Sequence, residues 1–290
     1  MMLDDLILHP HTRKQVTQLA AQPSQAVLLV GADGIGKATL ARALVVQTLG
    51  LPTWPEQHAY IRSLAPEKNA IPIDSIRELQ HFLQLKTIGQ GRYRRAVIVE
   101  HSNTLTTEAQ NAFLKLLEEP PTDTLLLLTA DTPRTLLPTI RSRLQLITVH
   151  PPEATALTTY FQEQGKQPAA IQRAYFLGGG LPGLMTALLQ DDENHPLFSG
   201  VTLAKSLLQQ NTFERLTLVE RLSKQKDETL NLLEALQRIA QTGLAQAAQK
   251  QDTARLKQWH RIIKEVYATN QAMQYNANPK LALTNLMLHI

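Results

Sequence analysis

The first half of the chain is punctuated by short apolar runs: Ala26-Val27-Leu28-Leu29-Val30, Ala96-Val97-Ile98-Val99 and Leu125-Leu126-Leu127-Leu128-Thr129, with a last strand pattern from Leu144 to Val149. Runs of this length with little or no alternation read as strands buried on both faces. Between them the spacing becomes helical. Residues 4–22, with Leu6, Ile7, Val16 and Leu19 set among His9, His11, Arg13 and Lys14, predict a short helix beside the first strand. A second helix opens at Leu40-Ala41-Arg42-Ala43-Leu44-Val45-Val46. A third runs from Asp74, a suitable N-cap, through Leu85, with Gly89-Gln90-Gly91 as its stop. A fourth is capped by Thr106 or Thr107 and terminated by Pro120-Pro121. Leu136 to Arg143 gives a short fifth. Residues 50–72 read as irregular, because Pro52, Pro55, Pro66 and Pro72 break any helix.

Strands alternating with helices over residues 26–149 predict an α/β domain with a mainly parallel sheet. Pro151-Pro152 marks its end. Residues 153–190 read as a small helical module containing Gly178-Gly179-Gly180-Leu181-Pro182-Gly183. Residues 191–196 form a polar linker. From 197 to 290 helical periodicity runs nearly throughout, as in Leu216, Val219, Leu222 and Leu230, Leu233, Leu236. The expected organisation is 1–150, 151–190 and 191–290, with no internal repeat.

Composition narrows the chemistry. The 290 residues are 43% hydrophobic, enough for two or three cored domains. The absence of cysteine excludes disulfides, thiol nucleophiles and cysteine–zinc sites. No apolar run approaches the ~20 residues of a membrane span. Met1-Met2-Leu3-Asp4-Asp5 does not lead into a signal peptide, so a cytoplasmic location with no membrane contact is expected. A formal charge of +4 permits nucleic-acid contact without requiring it. Arg92-Tyr93-Arg94-Arg95 reads as a solvated basic turn entering a strand, and His9 and His11 as surface histidines, so no metal ligands are expected.

One stretch carries specific chemistry. Gly31-Ala32-Asp33-Gly34-Ile35-Gly36-Lys37-Ala38-Thr39 lies between the first strand and its helix, the context of a phosphate-binding loop. Its glycines let backbone N–H groups turn inward, the helix N-terminus adds partial positive charge, and Lys37 supplies a mobile cation. The hydroxyl that normally follows the lysine and holds Mg²⁺ is replaced by Ala38, with Thr39 one place late. Ligands in such sheets bind at the carboxyl ends of strands, which brings Lys37, Glu100, His101 and Thr129 to one crevice. The expected nucleotide-binding set is Gly31, Gly34, Gly36, Lys37, Ala38, Thr39, Glu100 and Thr129.

Thr106 to Pro121 (TTEAQNAFLKLLEEPP), Thr129 to Pro133 (TADTP) and Leu136 to Arg143 (LLPTIRSR) together resemble the AAA+ clamp-loader ATPases of bacterial DNA polymerase III. Leu64 to Glu67 with Ile73 to Arg77, and Asn276 to Leu283, extend the resemblance over most of the chain. It implies an AAA+ nucleotide-binding domain, a helical lid and an all-α collar that joins a ring. It also implies partners: gamma/tau-type ATPase subunits, a delta subunit, the sliding clamp, and primer–template DNA through the complex. The departures concern catalysis. The family's Asp-Glu-Ala-Asp is here Glu100-His101-Ser102-Asn103, with His101 at the water-activating position. No arginine occurs between Leu177 and Gln190, where the lid's sensor arginine belongs. The four-cysteine zinc module is missing. The family's Ser-Arg-Cys signature is Ser142-Arg143-Leu144, which implies that Arg143 serves as an arginine finger toward a neighbour's ATP. The expectation is a mostly non-hydrolysing clamp-loader subunit with weak ATP or ADP binding, doubtful Mg²⁺ and no zinc. The alternatives are an active gamma-type ATPase and a P-loop small-molecule kinase.

Overall fold

The computed structural model describes the chain apart from residues 1, 23, 68, 69, 89, 193, 194 and 276 and the side chain of residue 274. The expected helix stop at Gly89 therefore lies outside the described residues. The chain divides into two compact units, Met1–Ala156 and Leu157–Ile290.

The first unit contains α1 (Pro10–Ala21), β1 (Ala26–Val30), α2 (Lys37–Leu49), β2 (Ile61–Leu64), α3 (Ile73–Gln84), β3 (Arg95–Val99), α4 (Thr107–Glu118), β4 (Thr124–Ala130), α5 (Pro138–Arg141) and β5 (Gln145–Thr148). Its five strands form one all-parallel sheet of order β2-β3-β4-β1-β5. Leu28 of β1 stands beside Leu128 of β4 on one side and Leu146 of β5 on the other. Every residue of β1, β3 and β4 is buried, which is why those strands are the near-continuous apolar runs. The pleat sends alternate residues to opposite faces. Leu28, Val97, Val99, Leu126 and Leu128 share one core with Ile76, Leu79 and Phe82 of α3 and Phe113 and Leu117 of α4. Val27, Leu29, Ile98 and Leu127, of the other parity, are buried too, with α2 packed on β3 and β4 and α1 on β5.

Three expectations are corrected here. Residues 50–72 are not wholly irregular: β2 adds an edge strand, and its sequence Ile-Arg-Ser-Leu hides it because only Ile61 is buried. Asp74 is not the N-cap. Pro72, in an extended conformation, caps α3, and Asp74 sits in the first turn, paired with Arg77 at 2.8 Å, where it favours the helix dipole. Arg95 is not a solvated turn residue but is 2% exposed, and Tyr93 is buried as well. The Arg95 guanidinium donates to the carbonyls of Phe82 (3.0 Å) and Leu85 at the end of α3. The Phe82 carbonyl also accepts the Leu85 N–H at 3.3 Å, whereas the Leu85 carbonyl lies past the last turn and has no backbone donor among the described residues, so a buried cation completes the helix end. Burial pushes the Arg95 pKa down, opposed by the Asp123 carboxylate. Other boundaries are close to the sequence reading: Thr106 caps α4 by accepting from the Ala109 N–H at 3.2 Å, α1 begins only at Pro10, and the helix ahead of β5 is the single turn of α5.

The second unit is helical: α6 (Ala154–Glu163, which begins just ahead of it), α7 (Pro168–Gly178), α8 (Pro182–Leu189), α9 (Pro196–Gln209), α10 (Thr212–Leu222), α11 (Lys226–Gln249), α12 (Thr253–Gln274) and α13 (Pro279–His289). Proline opens α7, α8, α9 and α13, where its missing N–H is no loss. α10 starts with a reciprocal box between Asn211 and Glu214. α11 and α12 form a long hairpin, with α9 on α11 and α13 on α10 and α12. Two glycines allow close approach. A Cβ at Gly200 would lie 2.6 Å from the Asn231 carbonyl oxygen, and one at Gly243 would lie 2.3 Å from the Trp259 indole. Val219, Leu222, Leu233 and Leu236 are buried as periodicity predicts, but Leu230 is 38% exposed. Among the described residues no helix is long and apolar enough to cross a membrane.

Candidate phosphate-loop site

β1 delivers the chain at the carboxyl edge of the sheet, and α2 leaves from Lys37. Between them, Gly34 (φ 79°) and Gly36 (φ 95°) adopt left-handed conformations that side chains resist, and Gly36 is the N-cap of α2. Gly31 is required for a different reason: a Cβ there would stand 2.7 Å from the Val149 carbonyl oxygen. The loop is thus shaped as its glycine spacing implies.

Lys37 is 5% exposed and its ammonium is fully engaged. It donates to Gly31 O at 2.8 Å, Ala32 O at 3.1 Å and Asp131 Oδ1 at 2.8 Å. An ammonium has three N–H donors, so none remains for a phosphate in this arrangement. Ala38 is half-buried and offers no hydroxyl, while Thr39 is exposed.

The other strand-end residues are also committed to the protein. Glu100, following β3, pairs with Arg42 of α2 at 2.8 Å, and the Arg42 guanidinium lies 5.7 Å from the centre of the Trp54 ring. Thr129, 2% exposed, accepts the His101 backbone N–H at 3.0 Å, and its carbonyl accepts from Ser102 Oγ at 2.9 Å. Thr104 donates to the His101 carbonyl from both N and Oγ1 at 2.8 Å. These bonds hold His101 at φ 49°, a left-handed conformation rare for a residue with a Cβ.

Asp33, His101 and Asp131 meet here, their ligand atoms all within 4.8 Å of one another. Asp33 and Asp131 were not singled out from the sequence. The available signal was position: Asp131 comes directly after a strand, where such folds place functional groups. Arg143, beyond α5, pairs with Glu118 at 2.9 Å and donates to the Thr139 carbonyl at 2.9 Å, on the surface. Arg141 is exposed.

A parallel sheet in this strand order, a glycine-rich phosphate loop after β1 and a helical continuation define the AAA+ class of P-loop protein. A DNA polymerase III gamma subunit-related protein from Thermotoga maritima has this fold, with a TM-score of 0.54 at 22% identity, covering 94% of this chain and 97% of that one. The sequence shows a narrower likeness. The family described as "DNA polymerase III, delta subunit" matches residues 11–153. The DNA polymerase III subunit delta' of Escherichia coli K12 is 38% identical over 138 residues, 47% of this chain and 41% of that one. The delta' subunit of Pseudomonas aeruginosa is 34% identical over 185 residues, 56% of this chain and 55% of its own. Over residues 11–153 and the aligned segments the chain is similar to delta' subunits, and it spans about half the length of these curated relatives.

Proposed function

We propose that this chain is a clamp-loader subunit of DNA polymerase III that helps place the sliding clamp on primed DNA during replication, and that it works mostly without hydrolysing ATP. The likeness to delta' subunits supports the assembly. The observation that carries the non-hydrolysing part is the Lys37 ammonium bound to Gly31 O, Ala32 O and Asp131. A triphosphate has to displace the Asp131 carboxylate, a like charge, before it gains the lysine. Ala38 then gives Mg²⁺ no hydroxyl, and Glu100 is held by Arg42. The residues present fit a Mg²⁺–nucleotide poorly, and no chemical step is assigned to one.

The subunit's contribution is then structural and in trans. In this reading the chain carries an AAA+ domain (1–150), a lid (151–190) and a collar (191–290) that joins gamma/tau-type subunits and a delta subunit. Arg143 reaches a neighbour's nucleotide. Its exposed pair with Glu118 is worth little, so a γ-phosphate accepting two parallel N–H bonds can take the guanidinium over. An arginine supplied this way is worth roughly 10³–10⁵ in rate.

Reconstitution with gamma/tau and delta homologues tests the reading. The isolated chain should turn over ATP far below ~1 s⁻¹, yet enter the complex. Arg143→Ala should assemble normally and lose DNA-stimulated hydrolysis by the partner. Fast turnover by the isolated chain would favour the gamma-type ATPase instead.

A further inference from the structure

We infer that Asp33, His101 and Asp131 form a binding site for one divalent transition-metal ion of the zinc or cobalt class, at the mouth of the phosphate loop and independent of nucleotide. The three side chains come from segments distant in sequence: the loop after β1, the end of β3 and the end of β4. Their ligand atoms already lie within 4.8 Å of one another. Bonds of ~2.0–2.2 Å place ligand atoms roughly 3–3.5 Å apart around such an ion. Closing that gap takes side-chain adjustment and leaves the backbone where it is.

The imidazole separates this cluster from an acidic surface patch. A nitrogen donor with two carboxylates favours Zn²⁺, Co²⁺ or Ni²⁺, whereas an all-oxygen set suits Mg²⁺ or Ca²⁺. Among the described residues neither the Asp33 carboxylate nor the His101 ring has a hydrogen bond or ion pair to another side chain or to the backbone, so both are available. The His101 backbone is pinned by Thr129 and Thr104, so its ring is presented from a fixed point. Asp131 uses Oδ1 for Lys37 and keeps Oδ2 for a metal. Lys37 then acts as an outer partner that orients a ligating carboxylate. Two carboxylates against one ammonium leave these groups a formal charge of one negative before the ion arrives.

The other histidine group is a poorer competitor. The His150 ring lies 5.4 Å from His9 and 5.7 Å from His11, centre to centre. His9 Nδ1, however, accepts the His11 backbone N–H at 3.1 Å. In the neutral ring the proton then sits on Nε2, and neither nitrogen is open to a metal.

The test uses the full chain, free of affinity tag, titrated with Zn²⁺ by calorimetry and with Co²⁺ by visible absorption. One equivalent should bind, with cobalt bands of a low-coordinate N/O site, and Mg²⁺ should fail to displace it at a hundredfold excess. His101→Asn and Asp33→Asn should each weaken binding at least tenfold. The double change His9→Asn with His11→Asn should leave it intact. Asp33 is exposed in a loop, so Asp33→Asn keeps the test decisive if His101→Asn disturbs the strained turn. Wild-type affinity in Asp33→Asn, loss only in the His9/His11 double variant, or displacement by Mg²⁺ would overturn the site.

Discussion

The two units bury different things. In the first, Lys37, Arg95, Ser102, Gln110 and Thr129 lie inside the fold, each hydrogen-bonded across a long stretch of sequence. Gln110, for example, donates to Leu105 O and accepts from the Leu137 N–H, fastening the loop beyond β4. In the second, among the described residues, the buried polar residues are Thr229 and Thr269, and each bonds a nearby backbone carbonyl. Its ion pairs, such as Arg238–Glu234 and Lys280–Glu220, sit outside. The physics of the two architectures explains this. A parallel sheet ends in loops whose backbone groups need side-chain partners. A helix satisfies its own backbone, so helical cores can be apolar and their specificity comes from shape. The first unit therefore assembles chemistry at its strand ends, and the second assembles surfaces.

The sharpest way to break that contrast is to empty a buried polar position. Arg95→Met should leave the Leu85 carbonyl without a donor and the Phe82 carbonyl with the Leu85 N–H alone. At ~1–3 kcal/mol for a buried unsatisfied group, the loss is about 1–3 kcal/mol. The chain has two tryptophans, Trp54 in the first unit and Trp259 in the second. Urea unfolding followed in Trp54→Phe and Trp259→Phe backgrounds reads each unit separately. The transition reported by Trp54 should shift strongly and that reported by Trp259 much less. Equal shifts would mean that the units do not differ in the way argued.

Shape is tested at the helical crossings. Gly200→Ala puts a methyl group 2.6 Å from the Asn231 carbonyl oxygen, which is backbone and cannot swing away. Overpacking of this kind costs about 1–3 kcal/mol, visible at Trp259. An unchanged midpoint would show that α9 and α11 separate at no cost.

The same contrast governs what the sequence made legible. The apolar runs of β1, β3 and β4, the glycine loop and the Thr106 cap are local signals, and all of them stand in the structure. What stayed hidden depends on partners far along the chain. Asp131 acquires its meaning from Lys37, and His150 joins His9 and His11 only once β5 pairs with β1. Arg95 looks like a loop cation until α3 ends against it. β2 is too short and too polar to show a period. In the helical unit periodicity found the helices, but a hydrophobic stripe does not say which edge is covered, and Leu230 is exposed.

The smallest expected effect is on acid stability, and it differs in kind between the units. Burial pushes the Asp123 carboxyl up, but hydrogen bonds from Thr87 and Thr124 and the nearby Arg95 and Arg94 charges outweigh it, and the net shift is downward. Hydrogen bonds from Lys224 and Lys280, with their charges, hold Glu220 down at about 2, although it is on the surface. The sign is the same for both. A carboxyl whose pKa is lower folded than unfolded stabilises the fold above its ordinary value, and that contribution disappears as pH falls toward the depressed one. For Glu220 the window runs from about 4.5 down to about 2. The medium differs. Salt at ~1 M shortens the screening length to ~3 Å, which weakens an exposed pair far more than a carboxyl shielded by its neighbours, as Asp123 is. Between pH 5 and 3, to order of magnitude, the destabilisation read at Trp259 should therefore shrink in high salt, and Glu220→Gln should remove the salt-sensitive part. The loss read at Trp54 should persist in high salt and fall in Asp123→Asn. A salt response of equal size at both tryptophans would contradict the assignment of buried polar chemistry to the first unit and surface charge to the second.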